Sequence, residues 1–211
     1  MTENPVRILI VVATSRELPE TSLFDVPNLQ VDTLVTGVGM VATAFHLTKK
    51  LTQKKYDLVV NVGIAGAFAE SLEIGSVVQV SSDRLAELGA EDHDKFVPAD
   101  EMNLIEKSDL EFNTDCRIAG LPVVSGITVN RVHGNAESIA KIRNQFNSDI
   151  ESMEGAAVGF VCSKLGFQWC QIRSISNRVE PRDKSNWNIP LALKNLHHEV
   201  LVYLQKLNDE A

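Results

Sequence analysis

The chain has 211 residues, a formal net charge of −8 and an apolar fraction of 44%. This length predicts one domain over residues 1–211 with a sizeable core, and the apolar fraction is ordinary for a soluble protein. The negative charge argues against a nucleic-acid partner, because binding phosphates requires a cationic face.

Sparse cysteines and the N-terminal sequence bear on the cellular compartment. The cysteines lack metal-type spacing, which favours small core residues in a reducing environment; they are Cys116, Cys162 and Cys170. Residues 1–5 lack the basic start of a secretory signal, and the apolar run 6–13 is too short to cross a membrane. We therefore predict a cytoplasmic protein without a membrane partner. Because the five histidines show no metal spacing, we predict no metal site and assign none of them to the functional site.

Apolar runs and helical periodicity alternate along the chain. They predict strands at residues 6–13, 31–36, 57–62, 75–80, 118–129, 149–152 and 168–175, and helices at 41–51, 136–146, 155–165 and 190–207. Asn135 is a suitable N-cap, and Gly166 is suited to end a helix. We expect loops at 63–67 and 177–188, and loop with a short helix at 83–113. This alternation predicts an α/β fold with a largely parallel sheet.

Two glycine motifs follow predicted strands. Gly37-Val38-Gly39-Met40-Val41-Ala42 matches the GxGxxA pattern of dinucleotide-binding proteins, with Asp57 at a suitable distance. The motif follows a later, half-polar strand, so a tight strand-to-helix turn is favoured and an NAD-dependent oxidoreductase stays an alternative. Residues 63–66 follow a buried strand, where glycines let a ligand approach the backbone, although an ordinary turn fits equally.

Three polar side chains stand at predicted strand ends, namely Glu17, Glu154 and Asn177. Carboxyl ends of parallel strands share one edge of a sheet, so we expect these groups to lie near one another. Glu17 could act as a base on water, Glu154 could accept the paired hydroxyls of a sugar, and Asn177 could bind a base edge. Each also has an ordinary structural reading: a surface acid, a first-turn helix acid and a loop Asn.

Apolar and cationic residues flank these groups. Met153, beside Glu154, could pack against a ribose ring, although Met is more often a core residue. Three cations in the loop after Asn177 could receive a carboxylate or phosphate, or could simply be solvated and offset by neighbouring acids; they are Arg178, Arg182 and Lys184.

Five segments in this order resemble the purine nucleoside phosphorylase/nucleosidase superfamily. They are Glu17 after the first strand, Thr36-Gly37-Val38-Gly39, Asn61-Val62-Gly63-Ile64-Ala65-Gly66, Ser152-Met153-Glu154-Gly155-Ala156-Ala157-Val158 and Arg173-Ser174-Ile175-Ser176-Asn177. The resemblance covers nearly the whole chain. It implies a three-layer α/β/α fold with a mixed, largely parallel sheet, a purine nucleoside substrate, no cofactor and a homodimer or higher oligomer.

The resemblance also implies roles for particular residues. Glu17 would activate water, Glu154 would hold the ribose hydroxyls, and Asn177 would stabilise the departing base. The substrate-binding residues would include Gly37, Gly63, Ile64, Ala65, Gly66 and Met153. Phe167 or another aromatic residue would form a wall of the base site.

Two departures from the superfamily pattern decide the expected reaction. Many of its phosphorylases have an Arg for phosphate where this chain has Asn61, which favours water as nucleophile. Its nucleosidases have an Asp that protonates N7 of adenine where this chain has Asn177. An Asn cannot give up a proton but can hydrogen-bond N7 and O6 of a 6-oxopurine, so hypoxanthine is the expected leaving base.

The segment 176–183 with Trp187 resembles the futalosine hydrolase branch of this superfamily. That branch acts on an inosine with a carboxylated aromatic tail at the 5′ side. Arg178, Arg182 or Lys184 would receive the carboxylate, and Trp187 would stack on the ring. The alternatives are a methylthioadenosine/adenosylhomocysteine-type nucleosidase and a nucleoside-binding module without catalysis.

Overall fold

A computed structural model of the chain describes residues 5–24 and 26–210, so most of the N-terminal segment used above to argue against a secretory signal lies outside it. The strands are β1 Val6–Val12, β2 Leu29–Val35, β3 Leu58–Ala67, β4 Val77–Leu85, β5 Gly89–Asp92, β6 Lys95–Pro98, β7 Glu111–Asn113, β8 Val123–Thr128, β9 Ile150–Ser152 and β10 Trp169–Arg178. The helices are α1 Met40–Gln53, α2 Ala136–Gln145, α3 Gly155–Leu165 and α4 Ile189–Glu210. Within the described ranges, no helix combines the length and apolarity needed to cross a membrane.

A mixed sheet lies between two layers of helices, which confirms the predicted α/β class. Parallel pairs join β1 to β2 and β3, β3 to β10, and β8 to β4 and β9. Antiparallel pairs join β10 to β4, β3 to β9 and β4 to β7. Because β3, β10, β4, β8 and β9 pair in a closed ring, this part of the sheet curls into a barrel from which β1 and β2 extend.

Strand β1 shows how the core fills both faces of the sheet. Ile8, Ile10 and Val12 pack in one apolar cluster with residues of α4. Leu9 and Val11 point the other way and pack with residues of α1 and α3. A strand buried on both faces reads as a continuous apolar run rather than an alternating one, which is why residues 6–13 were recognisable in the sequence.

Strand β3 has a divided edge, and this division positions the functional site. Its first half, up to Asn61, pairs with β1, whereas Gly66 and Ala67 pair with β9 on the same side. Strand β10 covers the opposite edge along the whole length of β3. Between the end of β1 and the start of β9 the sheet therefore opens, as at the switch points where ligands bind in open α/β sheets.

Helix α3 packs unusually close to the sheet because its inner face consists of small residues. A Cβ at Gly155 would collide with Asp83 and Gln171, and one at Gly159 would lie 2.6 Å from Phe112 Cβ. The helix ends at Gly166 with φ of 72°, as predicted. The predicted N-cap of α2 is also confirmed, since Asn135 accepts from the backbone N–H groups of Glu137 and Ser138.

Several predicted boundaries were wrong, for physical reasons. Residues 63–67 form the second half of β3, because backbone pairing with β9 and β10 outweighs the weak strand preference of glycine. The 83–113 segment holds the end of β4, the β5–β6 hairpin and β7. Strand β8 begins only at Val123, after Gly120 at φ of 91°. Strand β10 runs on to Arg178 because it continues to pair with β3.

A buried carboxylate connects the sheet to the start of α3. Asp83 accepts hydrogen bonds from Thr128 Oγ1 at 2.8 Å and Gln171 Nε2 at 2.9 Å. Thr128 Oγ1 in turn accepts from the backbone N–H of Ala156 at 2.7 Å, in the first turn of α3. Burial raises the pKa of Asp83 to about 6, against the opposing effect of its hydrogen bonds. Asp83 therefore fixes the helix that carries Glu154.

Replacing Asp83 by Asn is expected to change how stability depends on pH. A native carboxyl with a raised pKa keeps its proton where the unfolded chain has lost it, so its contribution to stability falls as pH rises from 3.8 to about 6. The fall approaches about 3 kcal/mol. Denaturant unfolding of both proteins from pH 4 to 8 should show a steeper decline in wild type than in Asp83→Asn, which keeps only the contribution of other groups such as Glu154. An equal decline in Asp83→Asn would contradict the assignment.

Candidate active site

A cavity of about 390 Å³ opens where the edge of β3 is divided. The residues predicted for the site that line this cavity are Glu17, Ile64, Ala65, Gly66, Met153, Glu154, Asn177, Arg182 and Trp187. They come from four regions of the chain, at or after the carboxyl ends of β1, β3, β9 and β10. The sheet edge therefore brings together the three polar groups that the sequence placed at strand ends.

Glu17 ends a single 3₁₀ turn that follows β1. Its side chain turns back over the preceding loop, where Oε2 accepts from Thr14 N at 2.9 Å and Thr14 Oγ1 at 3.1 Å. Oε1 accepts from the backbone N–H of Ile64 at 3.3 Å. These donors hold the carboxylate beside β3, with 7% of the residue exposed.

Glu154 faces the same cavity from the N-terminus of α3. Its Oε1 accepts from the backbone N–H of Gly39 at 2.9 Å, and the residue is 6% exposed. Burial raises the pKa of Glu154, and the nearby Glu17 carboxylate acts in the same direction, whereas Arg173 and the Gly39 hydrogen bond oppose the rise. The site thus holds two buried carboxylates within electrostatic reach of each other.

A buried guanidinium lies beneath these acids. Arg173 is 1% exposed and donates from Nη2 to Asn61 Oδ1, while Asn61 Nδ2 donates to Val11 O at 3.1 Å. A Cβ at Gly63 would clash with Arg173 Nη1 and would lie 2.9 Å from Glu17 Oε1. Gly63 therefore does not line the cavity but leaves room for the guanidinium and the carboxylate to approach each other.

Asn177 has a fixed amide orientation. Its Nδ2 lies 2.9 Å from the carbonyl oxygen of Arg178, which can only accept, and its Oδ1 accepts from Ser176 Oγ at 2.8 Å. A bulge between Ile175 and Asn177 sets Asn177 opposite Gly66. One N–H of the amide is used by Arg178, and the second remains to serve a ligand acceptor.

Besides Gly63 and Lys184, three residues predicted to bind substrate or to wall the base site lie outside the cavity lining. Arg178 was wrongly assigned, because its guanidinium donates to the carbonyls of Ala69 and Glu70 and so ties down a neighbouring loop. Phe167 packs beside the apolar cluster under α1 and α3. Gly37, with φ of 86°, shapes the turn that brings Val38 to the cavity and Gly39 to Glu154.

The turn at residues 37–39 is also part of the GxGxxA motif, which suggested an NAD-dependent oxidoreductase as an alternative. The N-terminus of α1, where a pyrophosphate would bind in a dinucleotide-binding protein, faces the carboxylate of Glu154 instead. Two negative groups would repel each other at this position, so the geometry disfavours NAD binding.

Sequence reasoning missed three ionisable residues of the cavity wall, namely Arg16, His133 and Glu151. His133 lies in the loop after β8, and none of the five histidines had been assigned to the site. Glu151 directly precedes the recognised Ser152-Met153-Glu154 segment, which was the one available signal. The pairing of His133 with Glu151 joins two segments that are apart in sequence, so no local pattern could reveal it.

Comparison with known proteins identifies relatives of this chain. The profile of the phosphorylase superfamily matches residues 8–204. A futalosine hydrolase from Acidothermus cellulolyticus is 34% identical over 177 residues, which cover 79% of this chain and 72% of that protein.

Two solved structures share the fold at low sequence identity. A Helicobacter pylori 5′-methylthioadenosine/S-adenosylhomocysteine nucleosidase has a TM-score of 0.81 at 20% identity, covering 99% of this chain and 100% of its own. A structure named as a futalosine hydrolase of the same organism has a TM-score of 0.80 at 18% identity and covers 98% of each chain.

We expect Glu154→Gln to stabilise the ligand-free protein at alkaline pH. The amide oxygen can still accept from Gly39, while the buried charge is removed. Because folding raises the pKa of Glu154, the gain should be present at pH 8 as a higher Tm and should vanish near pH 4. Thermal unfolding at both pH values tests this. Exposed Glu20→Gln is the control, and a lower Tm of Glu154→Gln at pH 8 would contradict the prediction.

Proposed function

The chain belongs to the phosphorylase superfamily, and from that premise we propose that it hydrolyses the N-glycosidic bond of a purine nucleoside. The observation that carries this proposal is the pair of buried carboxylates, Glu17 and Glu154, that face one small cavity. Cleavage of such a bond develops positive charge on the ribose, and two carboxylates are suited to act on it from different positions.

Glu154 is the group that binds the sugar. Its Oε1 is held by Gly39, so Oε2 is left to accept a ribose hydroxyl, with Met153 beside it as an apolar surface. The negative charge becomes more favourable as the oxocarbenium-like transition state forms, which lowers the barrier rather than only tightening substrate binding.

Glu17 is the base that activates water. The hydrogen bonds from Thr14 and Ile64 fix its carboxylate without engaging every lone pair, so a water can donate to it. Arg173, below Gly63, keeps a positive charge near both acids. Water is a better nucleophile here than phosphate, because a dianion would be repelled by two neighbouring carboxylates.

Asn177 selects the leaving base. The carbonyl of Arg178 fixes the amide so that nitrogen, a donor, is available to the ligand. N7 and O6 of a 6-oxopurine are both acceptors, whereas adenine presents an amino group beside N7. The amide therefore stabilises departing hypoxanthine better than departing adenine.

We further propose futalosine as the substrate, in menaquinone biosynthesis. The relative named futalosine hydrolase supports this choice, as do the cationic and aromatic residues at the cavity mouth. Arg182 lies over the Trp187 ring, with Cζ 5.1 Å from the ring centroid, so a carboxylated aromatic tail could meet both groups. Arg16, also at the cavity, adds a second cation, whereas Lys184 does not line it.

A second copy of the chain is the proposed partner. Three apolar side chains in the turn before α1 and in its first half are more than half exposed: Val38, Val41 and Phe45. Val38 also lines the cavity, so a homodimer burying this patch would complete the wall of the site. The free thiols of Cys116, Cys162 and Cys170 fit the proposed cytoplasmic location.

The test is purine release from futalosine, inosine and methylthioadenosine in phosphate-free buffer, followed by chromatography. Hypoxanthine from futalosine supports the proposal. Adenine from methylthioadenosine in preference would support the alternative nucleosidase, and release that requires added phosphate would reject hydrolysis.

Glu17→Gln should lower kcat about 10²-fold or more, because an amide cannot take a proton from water. KM should change little, since the base does not hold the substrate. Steady-state kinetics with Glu20→Gln as an exposed control would check this. A kcat near that of wild type would remove Glu17 from the proposed role.

Arg182→Gln should raise KM for futalosine about tenfold or more while leaving inosine unaffected, because inosine has no tail carboxylate. Lys184→Gln, two residues away and outside the cavity, is the matched control. Equal effects of Arg182→Gln on both substrates would show that Arg182 does not read the tail.

A further inference from the structure

The cavity wall holds a buried pair, His133 and Glu151, that the proposed mechanism does not use. Glu151 is 2% exposed, and His133 binds both of its carboxylate oxygens. The His133 backbone N–H donates to Oε1 at 2.9 Å, and the ring Nδ1 lies 2.6 Å from Oε2. Both residues line the cavity. Burying a carboxylate with a single partner residue costs desolvation free energy. The ring that this partner, His133, presents to the cavity is therefore a candidate for a functional role.

Glu151 determines the polarity of the His133 ring. An ionised carboxylate can only accept, so Nδ1 carries the hydrogen that the two atoms share. In the neutral ring, Nε2 then has a lone pair and is an acceptor. Among the described residues Nε2 has no hydrogen-bond partner, so this acceptor is left for a ligand.

Glu151, which holds this acceptor, lies across the sheet from Asn177, with Gly66 between the two. In the sheet, Gly66 is the direct neighbour of Glu151 on one side and of Asn177 on the other. A Cβ on Gly66 would lie 3.5 Å from Glu151 Cγ and 3.2 Å from Asn177 Nδ2. Since adjacent strands are about 4.8 Å apart, the two polar residues flank a gap of roughly 10 Å between their backbones. Gly66 adds no side chain of its own to that gap, into which the Val179 side chain also reaches, with Cγ2 2.9 Å from where a Gly66 Cβ would lie.

We infer that His133, held by Glu151, is a second specificity-determining residue and accepts the N1–H of a 6-oxopurine base lying over Gly66. The inference rests on the proposed function, and it assigns a residue to an edge of the base that Asn177 does not reach. In a 6-oxopurine, N7 and O6 are acceptors and match the N–H of the Asn177 amide. The N1–H is a donor and matches Nε2 of the His133 ring. Adenine has a lone pair at N1, which would face the lone pair of Nε2.

Two variants give different results. His133→Leu removes the acceptor and should lower the preference for hypoxanthine over adenine about tenfold or more. Glu151→Gln should reverse the polarity of the ring. Its amide oxygen must stay on the His133 backbone N–H, so its NH₂ faces Nδ1, and the ring hydrogen moves to Nε2. Nε2 then donates, which favours adenine.

The experiment is calorimetric binding of hypoxanthine and adenine to wild type and both variants, with kcat/KM for inosine and adenosine measured alongside. Exposed His198→Leu on α4 is the control, and thermal unfolding checks that each variant is folded. A shift toward adenine in Glu151→Gln, together with lost discrimination in His133→Leu, supports the inference. Wild-type selectivity in His133→Leu, or equal weakening of both bases in Glu151→Gln, overturns it.

The two proposals fail in different ways. If wild type binds hypoxanthine selectively but cleaves no nucleoside, the proposed hydrolysis is wrong while the binding assay still decides the role of His133. If wild type cleaves inosine and both variants keep its selectivity, the hydrolysis stands and the inference is rejected.

Discussion

The site depends on a single buried positive charge. Arg173 lies among three buried carboxylates and opposes the rise in pKa that burial causes in two of them, Asp83 and Glu154, while its guanidinium adjoins the third, Glu17, at Gly63. Without a nearby cation, burying this many acids in one region would be strongly unfavourable, and the acids would hold their protons. The guanidinium also ties β10 to β3 through Asn61, so charge compensation and strand register are set together.

This arrangement explains why so many small residues surround the site. Gly63 makes room for Arg173 and Glu17, Gly155 for Asp83 and Gln171, and Gly66 for the space between Asn177 and Glu151. At each of these positions a side chain would fill space that a charged or polar group needs. The glycines that weaken the local strand and helix preference are thus the ones that let polar groups pack at the sheet edge.

In the proposed mechanism, bond cleavage and base recognition are carried out by residues in two different parts of the cavity. Glu17 and Glu154 lie where the edge of β3 is divided between β1 and β9, and in the proposed mechanism they act on water and on the sugar. Asn177 and Glu151, which holds His133, lie on either side of Gly66, and in the proposed mode of binding Asn177 and His133 present a donor and an acceptor of fixed polarity. In each case a neighbouring group that can only accept, the Arg178 carbonyl or the Glu151 carboxylate, sets that polarity. Base recognition therefore relies on hydrogen positions that the protein fixes before a ligand arrives.

The sequence by itself determined the α/β class, most helices, the buried β1 and the convergence of Glu17, Glu154 and Asn177. The fold class, helices and β1 follow from local periodicity and from capping residues such as Asn135 and Gly166, and the meeting of Glu17 with Asn177 follows from the rule that parallel strands end at one edge. Glu154 joins them although β9 runs antiparallel to β3, because β9 pairs with the far half of the divided β3 edge. Only the tertiary structure decided that residues 63–67 form strand, that Arg178 faces a neighbouring loop and that His133 meets Glu151. Each of these outcomes depends on partners distant in the chain, and their pairing energy outweighs the local preferences that a sequence pattern reports.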